Sequence, residues 1–240
     1  MPPPAPSWPG RLAARPASDR LLQTAKTLFA RNGYERTSTA AIVRQAGSSE
    51  SQLVKYFGGK DGLLEAIFTQ FWQKITWRAR QALAEQALTS GKLIALMEAM
   101  LSELEADADL KVLTLVEGRR LRKDGRMALL DPGFLEFVRL LDNALQEMRD
   151  LGELRSGVNL EGARSALMGA VEGLLRDQLL AQRDGYRARY NANELRETFQ
   201  DVVMCFLTPK SASRLRKEAE LSLRERSRGR LRQSSRRRAS

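Results

Sequence analysis

Histidine is absent from the 240 residues, and its absence excludes His-based catalytic triads and the usual His-containing metal sites. Cysteine occurs once, as Cys205, so no intrachain disulfide can form; its place inside the apolar run "VVMCFL" predicts a thiol buried in the core. No stretch approaches the ~20 consecutive apolar residues of a membrane span. The opening "MPPPAPSWPG" has neither the basic start nor the apolar run of a secretory signal, so the expected location is the cytoplasm. No nucleophile, base and orienting group recur in a pattern suited to catalysis. Asp107 and Asp109 in "EADADL" read as a solvated helix junction, and the chain reads as a non-enzyme with no cofactor and no metal. What remains is a composition with 42% hydrophobic and 29% charged residues, ordinary for a globular protein.

The formal net charge of +11 is unevenly spread. Residues 209–240 hold 12 Lys or Arg against three Glu, and residues 1–17 add Arg11 and Arg15 with no acid. The stretch 18–208 therefore balances 26 basic against 26 acidic side chains. A basic total says little about the folded part, and any claim of DNA binding has to rest on local geometry.

Residues 1–17, rich in Pro and Ala, read as a flexible arm. Ser18 is the expected cap of a first helix with Leu21, Leu22, Ala25, Leu28 and Phe29 on one stripe, ending at Asn32-Gly33 with Tyr34 folded back onto it. A second short helix follows "TST" and packs Ile42, Val43 and Ala46 inward. Gly47 then turns the chain sharply, Ser48 or Ser49 caps a third helix ending near Phe57, and a long fourth helix starts at Lys60. Helical spacing continues over 81–88, 93–106, 110–123, 133–151, 160–183 and 194–207 without an alternating strand, so the fold class is all-α. A further helix is possible over 212–226, beyond which the chain reads as disordered.

The corner between the second and third helices has the form of a helix-turn-helix, whose second member can enter the major groove of duplex DNA. Glu50, Gln52, Lys55 and Tyr56 point outward from it, while Leu53 and Phe57 point inward. The stretch "TAKTLFARNGYERTSTAAIVRQAGSSESQLVKYFGGKDGLLEAIF" resembles the N-terminal domain of the TetR family of transcriptional regulators, in "LFARNGYERTS", "IVRQAG", "LVKYF" and "KDGLL". The likeness covers about a quarter of the chain; further on it extends only to helix order and "GAVEGLL". Val54, Ser48 and Gly58-Gly59 depart from the family's commoner residues.

The resemblance implies a helix-turn-helix domain over 18–77, joined by a long helix to a regulatory and dimerisation domain over 78–208; the charge distribution adds a basic tail over 209–240. It places Ser49, Glu50, Ser51 and Gln52 where base edges are read; Gln52 suits adenine and Glu50 suits cytosine. Lys55, Tyr56, Lys60 and a hydroxyl among Thr37, Ser38 and Thr39 match positions that hold phosphates. Trp72, Met97, Met100, Leu104, Leu113, Phe134, Phe137 and Leu141 are core by their spacing, with the lining of an effector pocket as the alternative. Ala163, Ala166, Gly169, Ala170 and Gly173 form a small-residue strip that the resemblance assigns to a homodimer interface, the alternative being an intrachain seam. The implied function is a homodimeric regulator, most often a repressor, that binds an inverted-repeat operator on double-stranded DNA and is released by a small apolar effector, with no membrane association. The rival reading is a helical interaction or nucleic-acid packaging protein acting mainly through its basic tail.

Overall fold

The computed structural model describes residues 16–86, 89–118, 131–181, 186 and 190–217. The arm before residue 16 and the tail after 217 lie outside the described residues, as do the uses of Arg11, Arg15 and "RSRGRLRQSSRRR". Nine helices run in order among the described residues: α1 (Ala17–Asn32), α2 (Thr39–Ala46), α3 (Glu50–Phe57), α4 (Lys60–Ala84), α5 (Thr89–Ala106), α6 (Ala108–Val116), α7 (Pro132–Asp150), α8 (Leu160–Leu180) and α9 (Ala192–Met204). A further helical stretch covers 209–217, and the only β feature among the described residues is an isolated bridge between Leu154 and Leu207. The fold is all-α, as the apolar spacing implies.

The described chain divides into two compact units. Met1–Trp77 groups with Ser102–Phe137, and Arg78–Leu101 groups with Val138–Ser240. In the first unit, Leu21, Leu22, Ala25 and Phe29 of α1 are buried with Ile42 and Val43 of α2 and Leu53 of α3. The Phe29 and Tyr34 rings lie 5.0 Å apart, closing the end of α1. Leu63, Leu64, Ile67, Phe68, Phe71, Trp72 and Ile75 of α4 are all buried, a stripe at three- and four-residue steps. α6 is tied to α1 by an ion pair between Lys26 and Asp107, a 2.7 Å hydrogen bond from Thr27 to Asp109, and a 3.2 Å bond from the Tyr34 amide to Glu117.

In the second unit, Ala163, Leu167, Val171 and Leu175 form the buried face of α8, which packs on α9 through Leu195, Phe199 and Val203. Ion pairs cross between helices: Lys92 with Glu147 at 2.6 Å, Arg196 with Glu98 at 2.5 Å and Arg164 with Asp142 at 2.8 Å. Tyr190, whose phenol is pushed up to about 12 by partial burial and then by Asp177, donates to the Leu174 carbonyl. Asn191 and Glu194 form a capping box at the start of α9. No helix among the described residues is long and apolar enough to cross a membrane.

Several expectations shift. α1 starts at Ala17 behind Pro16, with no side-chain cap, so Ser18 is inside the helix. α4 runs unbroken to Ala84, replacing a separate helix over 81–88. α6 starts earlier than residue 110 because Asp107 caps it, accepting from the Leu110 amide at 3.0 Å. Asp107 and Asp109 are thus engaged with α1 and are not a solvated junction. Cys205 is exposed: α9 stops at Met204, so Val203 and Leu207 take the inward positions and the thiol faces solvent. Ala163 belongs to the buried face of α8, apart from the rest of its strip.

Candidate nucleic-acid interface

The corner is held by backbone geometry that the sequence supplies residue by residue. Gly47 closes α2 in the left-handed region at φ 59°, where a side chain is disfavoured, and Ser48 donates its amide back to the Val43 carbonyl at 3.0 Å. Arg20 of α1 clamps the turn, its guanidinium reaching the carbonyls of Ala46 and Gly47 at 2.9 and 3.0 Å. Ser49 then caps α3, its hydroxyl accepting from the Gln52 amide while Gln52 reaches back to the Ser49 amide. At the far end, a Cβ on Gly62 would fall 1.7 Å from the Phe57 carbonyl oxygen, so the α3–α4 junction closes only around glycine.

This frame leaves one face of α3 open. Glu50, Ser51, Val54, Lys55 and Tyr56 are exposed, and Leu53 is buried beneath them. Val54, 58% exposed, is an apolar tip beside Glu50; the sequence marks it only as a departure from the family's commoner residues, and its i, i+4 relation to Glu50 is the signal that places it on the open face. The Lys55 ammonium lies 5.9 Å from the centre of the Tyr56 ring. On α2, Ser38 is exposed and caps the helix through the Ala41 amide at 3.1 Å, while Thr39 is half-buried at its first turn. A capped helix start of this kind also presents free amides suited to a phosphate.

Three predicted contact residues are committed elsewhere. Gln52 spends its side-chain oxygen on the Ser48 hydroxyl at 2.7 Å and the Ser49 amide at 3.3 Å, leaving only its amide nitrogen to donate. A bidentate pair with adenine needs both ends of the carboxamide. Thr37 is 2% exposed and donates to the carbonyls of Leu28 and Gly33, so it belongs to the core of the α1–α2 loop and offers nothing to a phosphate. Lys60 sends its ammonium to the carbonyls of Tyr34 at 2.8 Å, Thr37 at 3.0 Å and Glu35 at 3.4 Å, over the Tyr34 ring at 4.2 Å. Its three hydrogens organise a loop.

The effector-pocket residues are buried except Phe134, which is half-buried, and they divide between the units. Trp72, Leu104, Leu113, Phe134 and Phe137 lie in the first, and Met97, Met100 and Leu141 in the second. Trp72 stacks near Phe71, Phe134 and Phe137 at 4.9 to 5.5 Å. Its indole nitrogen and Asp131 Oδ2 are buried without a hydrogen-bond partner. In the small-residue strip, Ala166 and Gly169 are exposed, Ala170 and Gly173 are half-buried, and a Cβ at Gly169 or Gly173 would meet nothing within 4 Å.

Residues 21–67 match the bacterial regulatory proteins of the tetR family, and residues 68–205 match the C-terminal region of YsiA-like proteins. The fatty acid metabolism regulator protein of Bacillus subtilis (strain 168) is 26% identical over 160 residues, spanning 66% of this chain and 81% of its own. Two solved structures share the fold. FadR from Bacillus subtilis in complex with stearoyl-CoA has a TM-score of 0.67 at 20% identity, covering 79% of this chain and 97% of that one. PfmR from Thermus thermophilus has a TM-score of 0.64 at 22% identity, covering 81% and 99%. Because the two matched regions adjoin at residues 67 and 68, and the first falls on the helices that present the open face of α3, the chain belongs to the TetR family of DNA-binding transcriptional regulators.

Proposed function

We propose that the protein is a homodimeric repressor of an inverted-repeat operator, with residues 18–77 as reading head and 78–208 as regulatory and dimerisation part, released by a small apolar effector. The observation that carries this reading is the open face of α3, polar at its tip and locked at both ends by Ser49 and Gly62. Glu50 accepts from a cytosine amino group, Ser51 bonds a base edge and Val54 covers a thymine methyl. Ser49 and Gln52 form the capping box at the same edge and hold the reading residues in place. Lys55, Tyr56, Ser38 and Thr39 hold phosphates and set the register.

The exposed Ala166 and Gly169, with Ala170 and Gly173 beside them, support pairing of α8 with its copy, since small residues let two helices approach closely. A dimer is needed because one short helix reads too few bases; two set their helices in successive major grooves, roughly 34 Å apart. The unpartnered Trp72 nitrogen beside Phe134 and Phe137 supports an effector with an apolar body and one hydrogen-bond acceptor, since buried polar groups are rarely left unpaired. The stearoyl-CoA held by the Bacillus subtilis structure makes a fatty-acyl thioester the first class to try. Competition on labelled duplexes tests the whole reading. The expected result is a preference of at least ~10³ for one inverted repeat over random duplex, lost on adding effector; equal competition by random DNA contradicts it.

A further inference from the structure

A pocket of about 460 Å³ lies wholly within the first unit, walled by Leu22 of α1, Phe71 of α4 and Leu110 of α6. Its size falls in the ~300–1,000 Å³ range of sites that enclose small organic ligands. Phe71 is in ring contact with Trp72 at 4.9 Å, but Trp72, Phe134 and Phe137 do not line this pocket, and none of its lining residues makes up the open face of α3. It also holds four charges in two ion pairs, Lys26 with Asp107 and Lys74 with Glu103 at 2.5 Å.

In the Lys74–Glu103 pair the two signs differ in how easily they can leave; in the other pair Lys26, 14% exposed, is the more buried member and Asp107 is 31% exposed. The Glu103 side chain is 4% exposed on a short stem fixed to α5, and Asp107 is held in place by capping α6. Glu103 cannot withdraw without moving α5, whereas Asp107 leaves only by giving up its cap on α6 and its pair with Lys26. Lys74 is 32% exposed on a four-carbon stem, so its ammonium can swing into water while the stem stays against apolar surface. The exchangeable ion is therefore the cation. A ligand ammonium in place of Lys74 keeps the buried Glu103 compensated, whereas a ligand carboxylate would have to expel an anion that has nowhere to go.

We propose that this pocket binds an amphipathic amine, its ammonium seated on Glu103 with Asp107 as the second carboxylate, and its aromatic or alkyl body against Leu22, Phe71 and Leu110. The site stands apart from the operator and effector readings, and its failure leaves both untouched. The test is calorimetric titration of the full chain with 4-phenylbutylamine and with its matched anion 4-phenylbutyrate. The amine is expected to bind saturably, one per chain, and the anion at least about tenfold more weakly. Glu103→Gln should weaken the amine about tenfold or more, and Lys74→Met, which removes the internal competitor, should tighten it severalfold. If Glu103→Gln fails to fold, Asp107→Asn keeps a good helix cap and should still weaken the amine about threefold. Equal or tighter binding of the anion, absence of saturable amine binding, or an amine affinity unmoved by the carboxylate variants overturns the proposal.

Discussion

Lys60 and Gln52 show how a side chain of the right type in the right motif can be occupied elsewhere. The Lys60 ammonium bridges three carbonyls of the α1–α2 loop. Lys60→Met should therefore cost about 1–2 kcal/mol of stability, toward the lower part of the range for hydrogen bonds to a charged group because the site is partly solvated. Denaturant unfolding reads this; unchanged stability with a lowered salt slope of DNA binding would restore the phosphate role. Gln52→Ala should lose the capping box, about 1 kcal/mol, and weaken binding to all duplexes alike. Glu50→Ala should instead relax preference at one position of each half-site, by about 1–3 kcal/mol against the wrong base in titrations of single-base operator variants. Helical spacing made the outward face of α3 legible in the sequence. It could not show that Lys60 reaches a carbonyl 26 residues earlier or that Gln52 turns back on its own cap, because hydrogen-bond partners across a loop leave no periodic trace.

At the level of elements, apolar spacing foretold most of the helices and their inward faces, and the misjudged features were mainly the ends and the phase beyond them. Termini are decided by single hydrogen bonds and close contacts. Asp107 caps α6 and pairs with Lys26, so an acidic pair that reads as solvated joins α6 to α1. The end of α9 at Met204, three residues short of the apolar run's end, turned Cys205 outward. α4 has no break at Trp77 because nothing between that residue and Ala84 interrupts a helix. The α3–α4 junction gives the sharpest element-scale expectation. Gly62→Ala forces a Cβ against the Phe57 carbonyl, and the backbone must shift, at about 1–3 kcal/mol in unfolding experiments together with weaker operator binding. A variant as stable as the parent would show that the junction yields easily.

For the whole molecule, compact packing need not follow the functional division, since Ser102–Phe137 groups with Met1–Trp77. Contiguity in sequence cannot reveal such a grouping; the ties from α6 to Lys26, Thr27 and Tyr34 make it. Dimerisation belongs to this scale. Replacing Gly169 and Gly173 with Leu puts side chains into open space on the protomer, so thermal stability should hold while sedimentation shows the dimer dissociating; an intact dimer would move the interface elsewhere. Removing residues 218–240 should lower the salt dependence of DNA binding and leave site choice intact, because charge attracts phosphates without reading bases.

Selection of bound fragments from a random duplex pool, run on the full chain and on Glu50→Ala, measures whether a paired, outward-facing α3 reads bases. The expected result is an inverted repeat whose half-sites lie roughly 34 Å or a whole number of helical turns apart, with one position per half-site losing its preference in the variant. Enrichment of no sequence, or of a site identical for both proteins, would contradict it.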